Sequence, residues 1–246
     1  MTFGKNKIYD INKLPAQPGI LIFPISVSRI SNAQSAKACW EYVKIFSPDK
    51  IVKPMVGLNI VYGDYLYFNS EEPANILKLK FGNTILGHKN EFLKILAKNP
   101  MYIDKAVSFS TWNQILLEAK DFMRHIGELK KLYTEDDIFK KYVEEDIRTY
   151  SKGLTELNTD FILEETLMYY LIAKGKVVLR NDFVQGHHKW ILWCYPGKPL
   201  KSMLYIQQKN PFNLSNPENT YEHSIYDLEE KKLYDATKLD LESLNL

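Results

Sequence analysis

Cysteine is scarce in this chain. Only Cys39 and Cys194 are present among 246 residues, far apart and each inside an apolar run, which suits free buried thiols in a reducing compartment better than a disulfide framework. Long apolar runs are missing too: no stretch approaches the roughly 18 uninterrupted apolar residues of a membrane-spanning helix. The polar segment from Met1 to Asp10 lacks the apolar core and cleavage-like site of a secretory signal. A soluble, cytoplasmic protein with no membrane contact is expected. Charge of one sign is also absent, because 32 Lys and Arg face 30 Asp and Glu and leave a net +2. A domain that grips its partner chiefly through phosphates is usually far more basic, so any nucleic-acid contact must come from local patches. No internal stretch has the Pro, Gly and Ser richness of a linker, so residues 1–246 read as one domain with a polar, peripheral segment over 210–246.

Several signature loops are lacking as well. There is no G-x-S-x-G nucleophile elbow, no G-x-x-x-x-G-K-[ST] phosphate loop and no G-x-G-x-x-G dinucleotide loop. His187 and His188 with Cys194 hint at a metal, but adjacent positions in a strand face opposite sides and only one histidine could join a cluster. No metal and no cofactor are expected.

What is present is an alternation of short apolar runs and helical periodicity. Gly19 to Ser26 (GILIFPIS) reads as a buried strand, followed by a helix from Asn32 to Phe46 that carries Ala36, Cys39, Trp40 and Val43 on one face. Leu58 to Tyr62 and Ala106 to Phe109 read as further strands, the second running into a helix near Ser110 to Trp112. Helices are expected over Ile115 to Leu132, Asp137 to Tyr150 and Thr159 to Lys174, the last closed by Gly175. A strand at Lys189 to Tyr195 and a small hairpin at Ile225 to Tyr234 complete the pattern. Such alternation predicts an α/β domain with a parallel sheet flanked by helices.

Ligand sites in open α/β sheets lie at the carboxyl ends of strands, which directs attention to Ser26, Asp64 and Tyr195 at strand exits. Phe161, Glu165 and Met168 share one face of an otherwise apolar helix, placing Glu165 on or near a buried face while Glu164 points elsewhere. Spacing alone leaves each of these ordinary. A strand-end serine is commonly a turn former, and an acidic residue on an apolar face is often satisfied by an arginine.

Over most of its length, however, the chain resembles the tRNA-dependent cyclodipeptide synthases. The strings that carry the likeness are Ile22 to Ser28 (IFPISVS), Val61 to Asp64 (VYGD), Phe161 to Thr166 (FILEET) and Cys194 to Pro196 (CYP). The Tyr-Pro pair, with Arg29 three residues after the serine, is similar to the subfamily that needs no asparagine there. The resemblance implies a Rossmann-like fold similar to the catalytic core of class I tyrosyl-tRNA synthetases, aminoacyl-tRNA substrates, and Ser26, Glu165 and Tyr195 as catalytic residues. It further implies a substrate site formed by Phe161, Ile22, Pro24, Val61, Gly63, Met168 and Trp193, whose bulk favours a small first amino acid such as Gly or Ala. An aminoacyl-tRNA is already an activated ester, so such a reaction needs a nucleophile, orientation and proton transfer but no ATP or metal. Two departures stand out: Phe161 replaces the family's usual tyrosine, and the family's arginine-rich helix is represented by scattered lysines, Lys78, Lys80, Lys89, Lys94 and Lys98. A catalytically silent aminoacyl-tRNA-binding module and a serine-dependent aminoacyl-tRNA deacylase are the alternatives.

Overall fold

The computed structural model describes residues 19–27, 30, 34–45, 55–64, 74–99, 106–150, 153–174, 176–177, 190–195, 199–214, 222–227, 232–235 and 240–243. Strand β1 (Gly19–Ile25) is followed by α1 (Ala36–Ile45), β2 (Met55–Tyr62), α2 (Ala74–Ala97) and β3 (Ala106–Thr111). Helices α3 (Trp112–Glu118), α4 (Phe122–Glu135), α5 (Asp137–Tyr150) and α6 (Glu156–Ala173) lead to β4 (Trp190–Tyr195), α7 (Lys201–Lys209), β5 (Glu222–Asp227), β6 (Lys232–Asp235) and a 3-10 turn, Leu241–Ser243. The sheet order is β3-β2-β1-β4-β5-β6. β1 to β5 run parallel and β6 pairs antiparallel with β5. The expected α/β architecture is therefore present, and the expected hairpin continues the sheet at one edge.

β1 reads as an almost unbroken apolar run because both of its faces are covered, as parallel strands require. Ile20 and Ile22 join Val61, Trp193 and residues of α3 to α7 in one core, whereas Leu21, Phe23 and Ile25 join Leu58, Ile60, Tyr62, Cys194 and residues of α1 and α2 in the other. Helix α6 is buried from Thr166 to Ala173 and packs on α4, α5 and α7. It is apolar nearly all round, the pattern of a central helix.

Three features differ from the sequence reading. The helix expected over Ile115 to Leu132 is two helices, because Ala119 turns extended and Asp121 takes a left-handed φ of 62°. An aspartate tolerates that conformation and marks no break in the sequence. Helix α1 begins at Ala36, where the Ser35 hydroxyl accepts the Ala38 N–H at 3.2 Å; Asn32, and Gly175 at the far end of α6, lie outside the described residues. Helix α7 has no signal in the sequence, and α2 is implied there only by the resemblance: it carries Gly82 and Gly87 and spreads its apolar residues around the axis, which blurs the periodic signal.

Candidate active site at the strand crossover

From β1 the chain adds β2 and β3 on one side and β4 and β5 on the other, so the connection order reverses between β1 and β4. Ligand crevices of open parallel sheets form outside the strand ends at such a reversal. The register shows the crevice opening: β1 pairs with β4 only from Gly19↔Trp190 to Ile22↔Trp193, although each strand continues further. Ser26 follows the last residue of β1, and Tyr195 is the last residue of β4. The two strands that flank the reversal thus end in two of the three expected catalytic residues. Pro24 is accommodated at the same place. The Ile25 carbonyl accepts the Gly63 N–H at 2.8 Å on the β2 side, so Pro24, turned to the opposite side, faces the point where β4 pairing has ceased and no ladder N–H is needed.

Gly63 marks a close approach. A Cβ there would lie 2.7 Å from Nε1 and 3.0 Å from Cδ1 of Trp112, and 3.5 Å from the Ile25 oxygen. The indole occupies the volume that any side chain at 63 would need. Trp112 is held there as the first residue of α3, where Thr111 and Gln114 form a reciprocal capping box. The Asp64 carboxylate adds to this by accepting the Asn113 N–H at 3.1 Å. Burial pushes the Asp64 carboxyl above its ordinary value, against hydrogen bonds from Asn113, Thr111 and Trp112 that pull the other way. Asp64 therefore fastens the β2 exit to the start of α3. In sequence Trp112 reads only as a helix start, and nothing in its local sequence signals that it fills the space beside Gly63.

Of the expected substrate residues, Ile22, Val61, Met168 and Trp193 are fully buried in one cluster with Trp112, and half-buried Phe161 packs against it. Tyr169 lies against Trp193 with ring centroids 5.1 Å apart, which seats α6 on β4. The Trp193 indole N–H is buried with no hydrogen-bond partner among the described residues. Glu165 is half-buried on α6, one turn beyond Phe161. The side chain of Tyr195 lies outside the described residues.

Glu164 is expected to point elsewhere than Glu165, and the two stand about 100° apart around α6. Glu164 is also half-buried, and burial together with Asp160 one turn earlier pushes its carboxyl up to about 7, with Lys130 opposing. Lys130 pairs with Asp160 at 2.8 Å across α4 and α6. Glu164 stands where α6 passes from its exposed first turn, at Glu156 and Leu157, into the buried stretch that begins at Thr166, so its carboxylate is only partly solvated. Among the five lysines noted in sequence, Lys80 and Lys94 are exposed on α2 and Lys98 is exposed just after its end, while half-buried Lys89 lies 5.0 Å over the Phe109 ring; the side chain of Lys78 lies outside the described residues. His187 and His188 lie outside the described residues as well. Among the described residues no group of three or more His, Cys, Asp or Glu could hold a metal ion, and no helix is long and apolar enough to cross a membrane.

No family model and no curated protein matches the chain. Solved structures do. A cyclodipeptide synthase from Fluoribacter dumoffii aligns with TM-score 0.56 at 13% identity, over 87% of this chain and 94% of that one. AlbC, a cyclodipeptide synthase from Streptomyces noursei, aligns with TM-score 0.54 at 12% identity over 87% and 98%. A Mycobacterium tuberculosis protein, through which cyclodipeptide synthetases were related to type I tRNA synthetases, aligns with TM-score 0.50 at 12% identity over 83% of each chain. At such identities the likeness is one of architecture: this chain has the α/β fold of the cyclodipeptide synthases.

Proposed function

We propose that this protein is a cyclodipeptide synthase, joining two aminoacyl groups from aminoacyl-tRNAs into a cyclic dipeptide through a serine-bound intermediate. The observation that carries the reading is the placement of Ser26 and Tyr195 at the ends of β1 and β4, the two strands flanking the order reversal. Helix α6 supports it. A helix feeding a parallel strand runs antiparallel to that strand, so Glu165, four residues before the Tyr169 that meets Trp193, stands about 6 Å nearer the strand ends.

In the proposed reaction the Ser26 oxygen attacks the ester carbonyl of the first aminoacyl-tRNA. The serine-to-acyl bond forms, the bond to the tRNA ribose oxygen breaks, and the serine proton passes to the departing ribose oxygen. Glu165 holds the ammonium group of the aminoacyl-enzyme by a charge-assisted hydrogen bond and accepts its proton. Phe161 has no hydroxyl to share that task, which leaves the amino group more dependent on Glu165. The freed amine attacks the second aminoacyl-tRNA, the second tRNA departs, and the dipeptidyl amine then attacks the Ser26 ester, closing the ring and releasing the serine. Tyr195 relays the proton in that last step. Ile22, Pro24, Val61, Gly63, Met168 and Trp193 wall the first amino-acid pocket, and Trp112 at Gly63 narrows it further, which favours a small first side chain. Exposed Lys80 and Lys94 fall on one strip of α2, within roughly 40° at 3.6 residues per turn, and with Lys98 just past the helix end supply a phosphate contact.

The test is mass spectrometry of medium from bacteria expressing this protein or its Ser26→Ala variant. A cyclic dipeptide made by the parent and absent with the variant is the expected result. Release of free amino acid alone from charged tRNA would replace the synthase by a deacylase, and binding of aminoacyl-tRNA without turnover would replace it by a silent binding module.

A further inference from the structure

The chain between β1 and α1, which carries Ser26, is tied to the rest of the molecule at Gln34. The Gln34 side-chain Nε2 donates to the Pro24 carbonyl at 3.2 Å, so residues on either side of Ser26 are clasped by one amide. The clasp lies where the Pro24 carbonyl has lost its β4 neighbour, and a side chain replaces the missing ladder bond. The Gln34 backbone carbonyl in turn meets His88 Nε2 of α2 at 3.0 Å, and His88 Nδ1 meets the Tyr62 hydroxyl at 2.9 Å. A carbonyl only accepts, so the His88 proton sits on Nε2 and Nδ1 accepts the Tyr62 O–H. The Cys39 thiol of α1 also points at the Gln34 carbonyl, at 3.7 Å. Tyr62 ends β2 in register with Ile25, the residue before Ser26, and its ring meets His88 edge-on at 5.6 Å. Tyr62, His88 and Gln34 are all buried.

These contacts close a circuit around the proposed nucleophile: β2 to α2 through Tyr62 and His88, α2 to the chain after β1 through the Gln34 carbonyl, and that chain back to β1 through the Gln34 amide. Tyr62 and Cys39 belong to the core on the α1 and α2 side of the sheet, apart from the core that holds Met168 and Trp193. We propose that His88 is a positioning residue for Ser26, acting through Gln34 to hold the chain after β1 against the end of the sheet. The proposal rests on the reading of Ser26 as the nucleophile. Misplacing a nucleophile by about 1 Å costs on the order of a hundredfold in rate, whereas a contact that only adds stability leaves the acylation rate of the folded enzyme unchanged.

The test compares the parent protein with His88→Phe, which keeps a ring but loses both hydrogen bonds, and His88→Gln, whose amide still reaches the Gln34 carbonyl. Gln34→Met is the second route, since it removes the clasp on Pro24 and leaves His88 intact if His88→Phe does not fold. In single-turnover reactions with charged tRNA, His88→Phe and Gln34→Met should acylate Ser26 roughly ten- to a hundredfold more slowly, with half-saturating tRNA unchanged and His88→Gln recovering most of the loss. Equal rates in all variants, or a His88→Gln protein as slow as His88→Phe, overturn the proposal. Amide exchange at Val27, Ile30 and Gln34 without substrate separates this inference from the reading beneath it. Faster exchange in His88→Phe than in the parent or His88→Gln supports the positioning role even if no acyl-enzyme forms; equal exchange overturns it whatever the activity. A parent protein that never acylates Ser26 overturns the synthase reading instead.

Discussion

Replacing Gly63 by alanine adds one methyl group at the most crowded point of the candidate site. The new Cβ would stand 2.7 Å from Trp112 Nε1 and 3.0 Å from Cδ1, where non-bonded heavy atoms are comfortable at about 3.5–4.0 Å. Something must yield by close to 1 Å. The indole cannot swing aside freely, because Trp112 is buried and its backbone is pinned by the Thr111–Gln114 box and the Asp64 cap. The strand cannot recede either, because the Gly63 N–H is bonded to the Ile25 carbonyl. Overpacking of this kind costs about 1–3 kcal/mol. At roughly 2–4 °C per kcal/mol for a chain of this size, Gly63→Ala should lower the melting temperature by about 2–12 °C. Because the strain enters beside the residue preceding Ser26, acylation should slow as well. The assay is thermal unfolding of the four members of a cycle with Trp112→Phe, whose smaller ring lacks Nε1. In the Trp112→Phe background the alanine should cost less by about 0.5 kcal/mol or more. A Gly63→Ala protein that melts with the parent, or strictly additive effects, would refute the collision on which this reasoning rests.

Two pH-dependent outcomes follow from a buried carboxylate, Asp146, and a half-buried one, Glu164. Asp146 of α5 accepts the Lys201 and Ser202 N–H groups at 2.9 Å each, capping α7 from a neighbouring helix. Burial raises its carboxyl from 3.8 to about 6, although the bonds from Ser202 and Lys201 pull downward. A raised acid stabilises the fold fully below its unfolded value and loses that contribution as pH rises through the folded one. The stability advantage of the parent over Asp146→Asn, measured by urea unfolding, should therefore shrink by up to about 3 kcal/mol between pH 4 and 7; an advantage that grows with pH would contradict the burial argument. Glu164 is raised from 4.5 to about 7 by burial and by Asp160, so the same sign applies over a higher window. Glu164→Gln should gain on the parent by on the order of 1–3 kcal/mol between pH 5 and 8, and a flat difference across that range would remove the carboxyl from the list of strained groups.

The parts of the fold legible in the sequence were those whose environment is uniform. β1 is covered on both faces, so its apolar run needed no partner to be recognised, and α5 was bounded correctly because Asp137 opens its first turn and an apolar stripe runs its length. The break at Asp121 was hidden because neither glycine nor proline marks it, although α3 and α4 on either side pack into the same core. α2 was hidden for the opposite reason. Its buried face, Phe81, His88 and Phe92, includes a histidine, and its exposed face carries Leu79, Leu86 and Leu93, so polarity does not follow burial as the periodic signal requires.

At the site, the residues that end strands could be located from the chain, whereas those that act across the sheet could not. Ser26 and Tyr195 stand at boundaries where an apolar run stops, and the order of strands alone brings those boundaries to the same crevice. Trp112, Gln34 and His88 owe their places to contacts spanning 10 to 54 residues of sequence and to a steric coincidence at Gly63, none of which leaves a local pattern. The adjacent carboxylates of α6 show where sequence reasoning reaches its end. Helical spacing assigns Glu164 and Glu165 to different faces, and on a surface helix one of them would be solvated. On α6, which packs on α4, α5 and α7, both carboxylates are half-buried, and the environment decides what each can do. Glu164 shares Lys130 with Asp160 and is driven toward the neutral form. Glu165, on the arc that leads through Met168 and Tyr169 to Trp193, is the carboxylate that the proposed chemistry requires to be ionised. Exchanging the two roles by substitution is then unequal: Glu165→Gln should abolish product formation in a folded protein, while Glu164→Gln should leave it intact and raise stability above pH 7.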